Sequence, residues 1–181
     1  SISGRVYVDF TLSGFRDGGV NAPPLPGVTV QLLNAGGAVI ATRVTDANGN
    51  YLFPNLAPGT YSVREVQPTA GNYFQGFNTA GTAGGTAGAV GDDNIRGIVL
   101  PAATNSRHNN FGEIPPADPN GFVFEDRNAN GRRDPGEPGI AGVPVTVAGT
   151  AFAGTPLARP LTAADVPGGL TRLTDGNGFY E

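Results

Sequence analysis

The sequence predicts an all-β protein built as two successive antiparallel β-sandwiches, the second incomplete. Three observations carry this reading: a composition that resists helix formation, short runs of period-two alternation, and an internal repeat. Glycine (29) and proline (16) together make up about a quarter of the 181 residues, and both are poor interior residues of a helix. Alternation recurs in Val6/Val8/Phe10, Val28/Val30/Leu32, Tyr61/Val63 and Ile98/Leu100. Each run is short and bounded by Gly, Pro, Asn or Asp, as in antiparallel strands with one buried face. Further strands are expected over residues 39–45, 50–53 and 109–112, which brings the first copy near seven and suits a sandwich of about 110 residues. Asn48-Gly49 and Asn177-Gly178 mark tight hairpins, and Pro58-Gly59 marks another reversal. Residues 71–91, rich in Gly, Ala and Thr, read as a long surface loop.

The repeat sets the domain organisation. Gly4-Arg5-Val6-Tyr7-Val8-Asp9 is matched by Gly121-Phe122-Val123-Phe124-Glu125-Asp126, and Gly27-Val28-Thr29-Val30 by Gly142-Val143-Pro144-Val145. Thr45-Asp46-Ala47-Asn48-Gly49-Asn50-Tyr51 then returns as Thr174-Asp175-Gly176-Asn177-Gly178-Phe179-Tyr180. Pro115, Pro116 and Pro119 make the segment between the copies an extended spacer. The expected domains are residues 1–114, a linker at 115–120, and a second copy at 121–181 that lacks its last strands. With its start at Ser1-Ile2-Ser3, the chain reads as a piece of a longer polypeptide.

Composition narrows the chemistry. All 11 cationic residues are arginine, so lysine-based covalent catalysis is excluded; with no cysteine there are no thiol nucleophiles, disulfides or Cys-ligated zinc. His108 is the single histidine, and it reads as an ordinary strand or loop residue. The net charge is −4 and the arginines are scattered, which argues against a nucleic-acid partner. No run of 18 apolar residues exists for membrane insertion. No paired titratable groups stand at a catalytic spacing, so the chain is expected not to be an enzyme.

Residues 126–137 carry the sharpest pattern. Oxygen-bearing side chains fall at loop positions one (Asp126), three (Asn128), five (Asn130), nine (Asp134) and twelve (Glu137), with Gly131 at the sharp turn and Arg132 offering its carbonyl. In a tightly curled loop alternate residues point inward, so this spacing converges oxygens on one hard cation, and a distant Glu closes the far side. Calcium is the expected cofactor, with an affinity on the order of 10⁻⁴ to 10⁻³ M or tighter. The flanking segments, 122–125 and 143–147, look like strands rather than helices, so the ion is expected to clamp a loop rather than open a helix pair.

The first copy keeps Asp9, Gly14 and Asp17, but Thr11 and Ser13 replace the amides and Val20 stands at the closing position, which makes it a weaker metal candidate. Asp46 and Asn48, and Asp175 and Asn177, sit on hairpins whose composition turn geometry already explains. Asp92 and Asp93 read either as a surface charge pair or as a calcium site. Glu65 is placed on the apolar side of its strand and would need a partner there, for which Arg5 and Arg43 are candidates.

These motifs resemble tandem SdrD B-like domains, the calcium-binding B repeats of bacterial surface adhesins, which are related to Cna B-type stalk domains. The resemblance rests on residues 121–126 leading into the Asp/Asn/Gly loop, on 137–143, 45–51 and 56–63, and on 93–101 and 109–113. It implies an immunoglobulin-like or prealbumin-like sandwich serving as a calcium-rigidified, non-enzymatic spacer of an extracellular or cell-surface protein, a stalk, surface layer or filament. Its ligand set carries over to Asp126, Asn128, Asn130, the Arg132 carbonyl, Asp134 and Glu137. The implied partners are neighbouring repeats of the same polypeptide or other subunits of an assembly. Some Cna B-type relatives form a Lys-to-Asn isopeptide bond promoted by an acid that Glu65 resembles in position; without lysine that bond cannot form here. The alternative is an adhesive module that binds a host protein or carbohydrate through residues 71–91, with Tyr73, Phe74 and Phe77 exposed.

Overall fold

The computed structural model describes residues 1–14, 22–153 and 158–181. The chain divides into two compact units, Ser1–Pro116 and Ala117–Glu181. In the first, nine strands form: β1 (Ile2–Val8), β2 (Thr29–Asn34), β3 (Val39–Val44), β4 (Asn50–Phe53), β5 (Gly59–Glu65), β6 (Phe74–Thr79), β7 (Thr86–Ala87), β8 (Asn94–Leu100) and β9 (Asn110–Ile114). One sheet has the order β4-β1-β9-β6 and the other β3-β2-β5-β8-β7. Ile2, Val6, Tyr51, Phe53 and Phe111 of the first sheet and Val30, Leu32, Val63, Ile95, Ile98 and Leu100 of the second are buried together and make the core. The fold is all-β, a sandwich of two sheets.

Three expectations need correction. The segment 71–91 is not one loop, because it holds β6 and β7. β6 pairs with β9 through Phe74↔Ile114 and Asn78↔Phe111, with a bulge between Gln75 and Asn78 that breaks the period-two signal. Gly76 is required there, since a Cβ at that position would lie 2.5 Å from the Gly112 carbonyl oxygen. Second, Tyr73, Phe74 and Phe77 are half-buried rather than exposed. Third, the pairing is not wholly antiparallel: β1 runs parallel to β9, with Val6 opposite Phe111 and Val8 opposite Glu113.

The expected hairpin at Asn48-Gly49 is instead a turn that carries the chain from β3 in one sheet to β4 in the other, and it is set by Asp46, whose Oδ1 accepts from the Asn48 and Asn50 amides at 2.8 Å each. Gly49 has φ +70°, and a Cβ there would lie 2.4 Å from the Val6 carbonyl oxygen. Gly49→Ala is therefore expected to cost about 1–3 kcal/mol, read as a lowered urea midpoint with unchanged m-value. An unaltered midpoint would mean the turn relaxes freely.

Among the described residues of the second unit, β10 (Gly121–Phe122), β11 (Pro144–Thr146), β12 (Thr150–Ala151), β13 (Arg159–Pro160), β14 (Thr171–Leu173) and β15 (Phe179–Tyr180) pair as two-stranded ladders, β10 with β15, β11 with β14 and β12 with β13. Several of its hydrogen bonds repeat those of the first unit. Val6 N donates to Gly49 O at 2.9 Å, and Val123 N to Gly178 O at 2.8 Å. Thr45 Oγ1 donates to Leu25 O at 2.8 Å and accepts from Val28 N at 2.9 Å; Thr174 Oγ1 donates to Ile140 O at 2.7 Å and accepts from Val143 N at 2.9 Å. No helix of the described residues is long and apolar enough to cross a membrane.

Candidate metal centres

The loop at 126–137 is curled by its own donors. Asp126 Oδ2 accepts from Gly131 N at 2.8 Å and Oδ1 from Asn130 N at 3.2 Å. Asn128 Oδ1 accepts from Asn130 N at 3.2 Å, and Asn130 Oδ1 from Arg132 N at 2.7 Å. The curl needs left-handed backbone at Ala129 (φ 57°) and Gly131 (φ 73°). Across it, Asp134 Oδ2 accepts from Asn128 Nδ2 at 2.7 Å and Asn130 Nδ2 at 2.6 Å. These bonds hold the Asp134 carboxyl below the usual carboxylate range. Glu137, buried at 8% exposure, closes the ring: Oε1 accepts from Arg127 N at 3.0 Å and Oε2 from Asp134 N at 2.8 Å. Hydrogen bonds thus link Asn128 and Asn130 to Asp134, and Asp126 and Glu137 to amides of the same loop, and a half-turn of each amide would present oxygen where nitrogen now meets Asp134.

The first unit repeats the opening of this loop. Asp9 Oδ2 accepts from Gly14 N at 2.8 Å, and Oδ1 from the Thr11 and Ser13 amides at 3.2 and 3.3 Å. Leu12 (φ 55°) and Gly14 (φ 71°) take the same left-handed turns as Ala129 and Gly131. Asp17 and Val20 lie outside the described residues. The candidates expected on hairpins sit on turns between strands that do not pair with each other: Asp175 Oδ1 accepts from Asn177 N at 2.8 Å and Phe179 N at 2.9 Å, as Asp46 does from Asn48 and Asn50. Asp92 is engaged by Arg96 in a fork of 2.5 and 2.9 Å and by Asn94 Nδ2 at 2.6 Å, so its carboxyl sits below the usual range. His108 is exposed, with φ 65°.

Asp93 has a different fate. Its carboxylate meets those of Glu65 and Glu113, one oxygen from each lying within 4.8 Å of the others. Glu65 is 2% exposed and Glu113 fully buried. Burial pushes all three carboxyls up, with the neighbouring negative charges adding to it, Asp93 to about 6 and Glu113 to about 8. The arginines expected to partner Glu65 do not: Arg43 stands over the Phe53 ring, 5.8 Å from its centroid, and Arg5 lies on β1 opposite Asn50. Sequence reasoning missed Glu113 as a partner, although its place two residues after the core residue Phe111 was a signal for an inward-facing acid.

A family model described as the SdrD B-like domain matches residues 1–111. The chain belongs to the SdrD B-like family. Among curated relatives, Colossin-A of Dictyostelium discoideum is 30% identical over 168 residues, 87% of this chain and 1% of that protein. Serine-aspartate repeat-containing protein C of Staphylococcus aureus strain N315 is 31% identical over 144 residues, 78% of this chain. This SdrD B-like chain spans 14% of that relative's length. Among solved structures, the Bacillus anthracis TIE protein aligns over 99% of this chain and 26% of its own, at 13% identity and a TM-score of 0.41. The setting of this SdrD B-like chain is the cell surface or extracellular space.

Proposed function

We propose that the chain is a non-enzymatic spacer module of a surface protein, stiffened by calcium held in the loop at 126–137. The observation that carries this reading is the curl that Gly131 permits, closed by hydrogen bonds from loop donors to the side chains of Asp126, Asn128, Asn130, Asp134 and Glu137. Oxygen-only ligands, three of them carboxylates, suit a hard cation, and the Arg132 carbonyl completes the loop's donor set. The segmentation proposed is residues 1–114, 115–120 and 121–181, so that the clamp sits at the start of the second copy. Its partners would be neighbouring repeats or subunits of an assembly. Two surface depressions support the non-enzymatic reading. One is lined by residues such as Leu52, Pro54, Leu56 and Pro101, and the other by Leu33, Asn34, Thr60 and Arg96; neither gathers an acid-base pair. The half-burial of Tyr73, Phe74 and Phe77 removes the main support for an adhesive loop.

The test is thermal unfolding of the whole chain in calcium and in chelator, for wild type beside Asp126→Ala and Glu137→Ala. A rise in Tm of several degrees at about 1 mM calcium, lost in both variants for the transition of the second unit, is expected. A second-unit transition indifferent to calcium would sink the clamp and leave the loop an ordinary turn.

A further inference from the structure

The three carboxylates of the first unit stand where its two sheets meet. Glu65 ends β5, and its amide donates to the Asp93 carbonyl at 2.9 Å, so these two acids are neighbours in one sheet. Glu113 lies on β9 of the other sheet, on the same side as Phe111. We propose that Glu65, Asp93 and Glu113 form a buried calcium site that ties one sheet of the first sandwich to the other, separate from the loop at 126–137.

Spacing is the first argument. Calcium holds oxygen at about 2.3–2.6 Å, so two ligands of one ion stand at most about 5 Å apart. The oxygens of the cluster lie within 4.8 Å of one another.

Missing partners are the second. As carboxylates, both Glu65 oxygens, Glu113 Oε1 and Asp93 Oδ1 are buried without a hydrogen-bond donor. Gln75, directly across the ladder from Glu113, has both its buried side-chain oxygen and its amide nitrogen unbonded. Among the described residues, the side-chain donor to the Glu113 carboxylate is the Gln67 amide, at 2.5 Å to Oε2. No counter-charge offsets the cluster: among the described residues the ion pairs are Arg96 with Asp92, Arg127 with Glu125 and Arg159 with Asp165. Buried carboxylates left this way cost several kcal/mol each, and a divalent cation removes that penalty at one stroke.

The chemistry selects the ion. Every donor is oxygen and the arrangement is irregular, which calcium tolerates with six to eight ligands and magnesium does not. Asp93 is partly exposed and follows the exposed Asp92–Arg96 pair, which gives the ion a way in from the surface. In a chain without cysteine or lysine, such a site supplies the sheet-to-sheet link that a covalent bond would otherwise make.

The experiment uses the whole chain with Glu137→Ala, so that the loop at 126–137 is silenced, and compares it with the same chain carrying Glu65→Gln or Glu113→Gln. Equilibrium dialysis against CaCl2 counts bound ions, and thermal unfolding in calcium and in chelator reads the first unit. The expected result is one ion bound in Glu137→Ala, lost in either glutamine variant, and a calcium-dependent Tm rise of more than about 5 °C that disappears with it. The amides match the carboxyls in shape, and unchanged circular dichroism in chelator confirms that the variants fold. Ion binding that survives both glutamine substitutions overturns the proposal, because another oxygen set then holds calcium. Absence of binding in Glu137→Ala overturns it too, and means that Glu65 and Glu113 share a proton instead. Neither result bears on the loop, whose test reads the second unit in otherwise wild-type protein.

Discussion

Phe111→Ala is expected to lower the stability of the first unit by about 3–5 kcal/mol, a large part of what a domain of this size possesses. Phe111 is fully buried and lies on β9, the strand joined on one side to β1 and on the other to β6. Its ring meets Tyr51 at 6.2 Å between centroids, and Tyr51 in turn meets Phe53 at 5.9 Å edge to face. The Tyr51 hydroxyl donates to the Asn109 carbonyl at 2.6 Å, so the surroundings are pinned and collapse poorly into a vacated space. A cavity left in so thin a core stays open, and its cost adds to the lost transfer energy. Urea unfolding checks this: Phe111→Leu, which keeps most of the volume, should cost less than half as much as Phe111→Ala. Equal losses in the two variants would mean that ring shape rather than volume governs the site.

The sandwich was legible because its strands keep period two where both neighbours are regular. Val30 and Leu32 alternate inward on β2, continuing the period from Val28 just before it, and Val6 does so on β1. What the sequence hid were interruptions of that period. On β8, Ile95 and Ile98 are both buried although three residues apart, because the ladder with β5 shifts between Tyr61 and Val63. Gly97 (φ 66°) takes the left-handed backbone within this bulge. β6 was hidden in the same way, its bulge lying in a stretch of Gly, Asn and Thr that reads as loop. The curl at 126–137, with its left-handed turn at Gly131, was legible because its hydrogen bonds join residues close in sequence. The carboxylate cluster was not, because Glu65, Asp93 and Glu113 come together only when the two sheets close, and no local spacing records that.

The same cluster makes stability depend on pH in a direction opposite to that of a salt-bridged protein. With calcium removed by chelator, the first unit is expected to be more stable near pH 5 than near pH 8.5, by on the order of a few kcal/mol. The carboxyls of Glu65, Asp93 and Glu113 are all raised in the folded chain. The folded state therefore holds their protons more tightly than the unfolded state does. That contribution is complete below the ordinary glutamate range and is lost as pH rises through about 6 for Asp93 and about 8 for Glu113. The groups facing them do not reverse the sign: Tyr51 stays neutral, Gln67 and Gln75 carry no charge, and Asp92 adds negative charge next to Asp93. Asp46 and Asp92 act oppositely, since hydrogen bonds hold their carboxyls low, but their contribution is lost only under more acidic conditions, as pH falls below the ordinary aspartate range. Denaturant midpoints between pH 5 and 8.5 read the effect, and Glu113→Gln, which cannot ionise, should flatten the curve. A midpoint that rises with pH over this interval would show that Glu65 and Glu113 ionise at ordinary values, and that water or a rearranged Gln75 satisfies them once the sheets breathe.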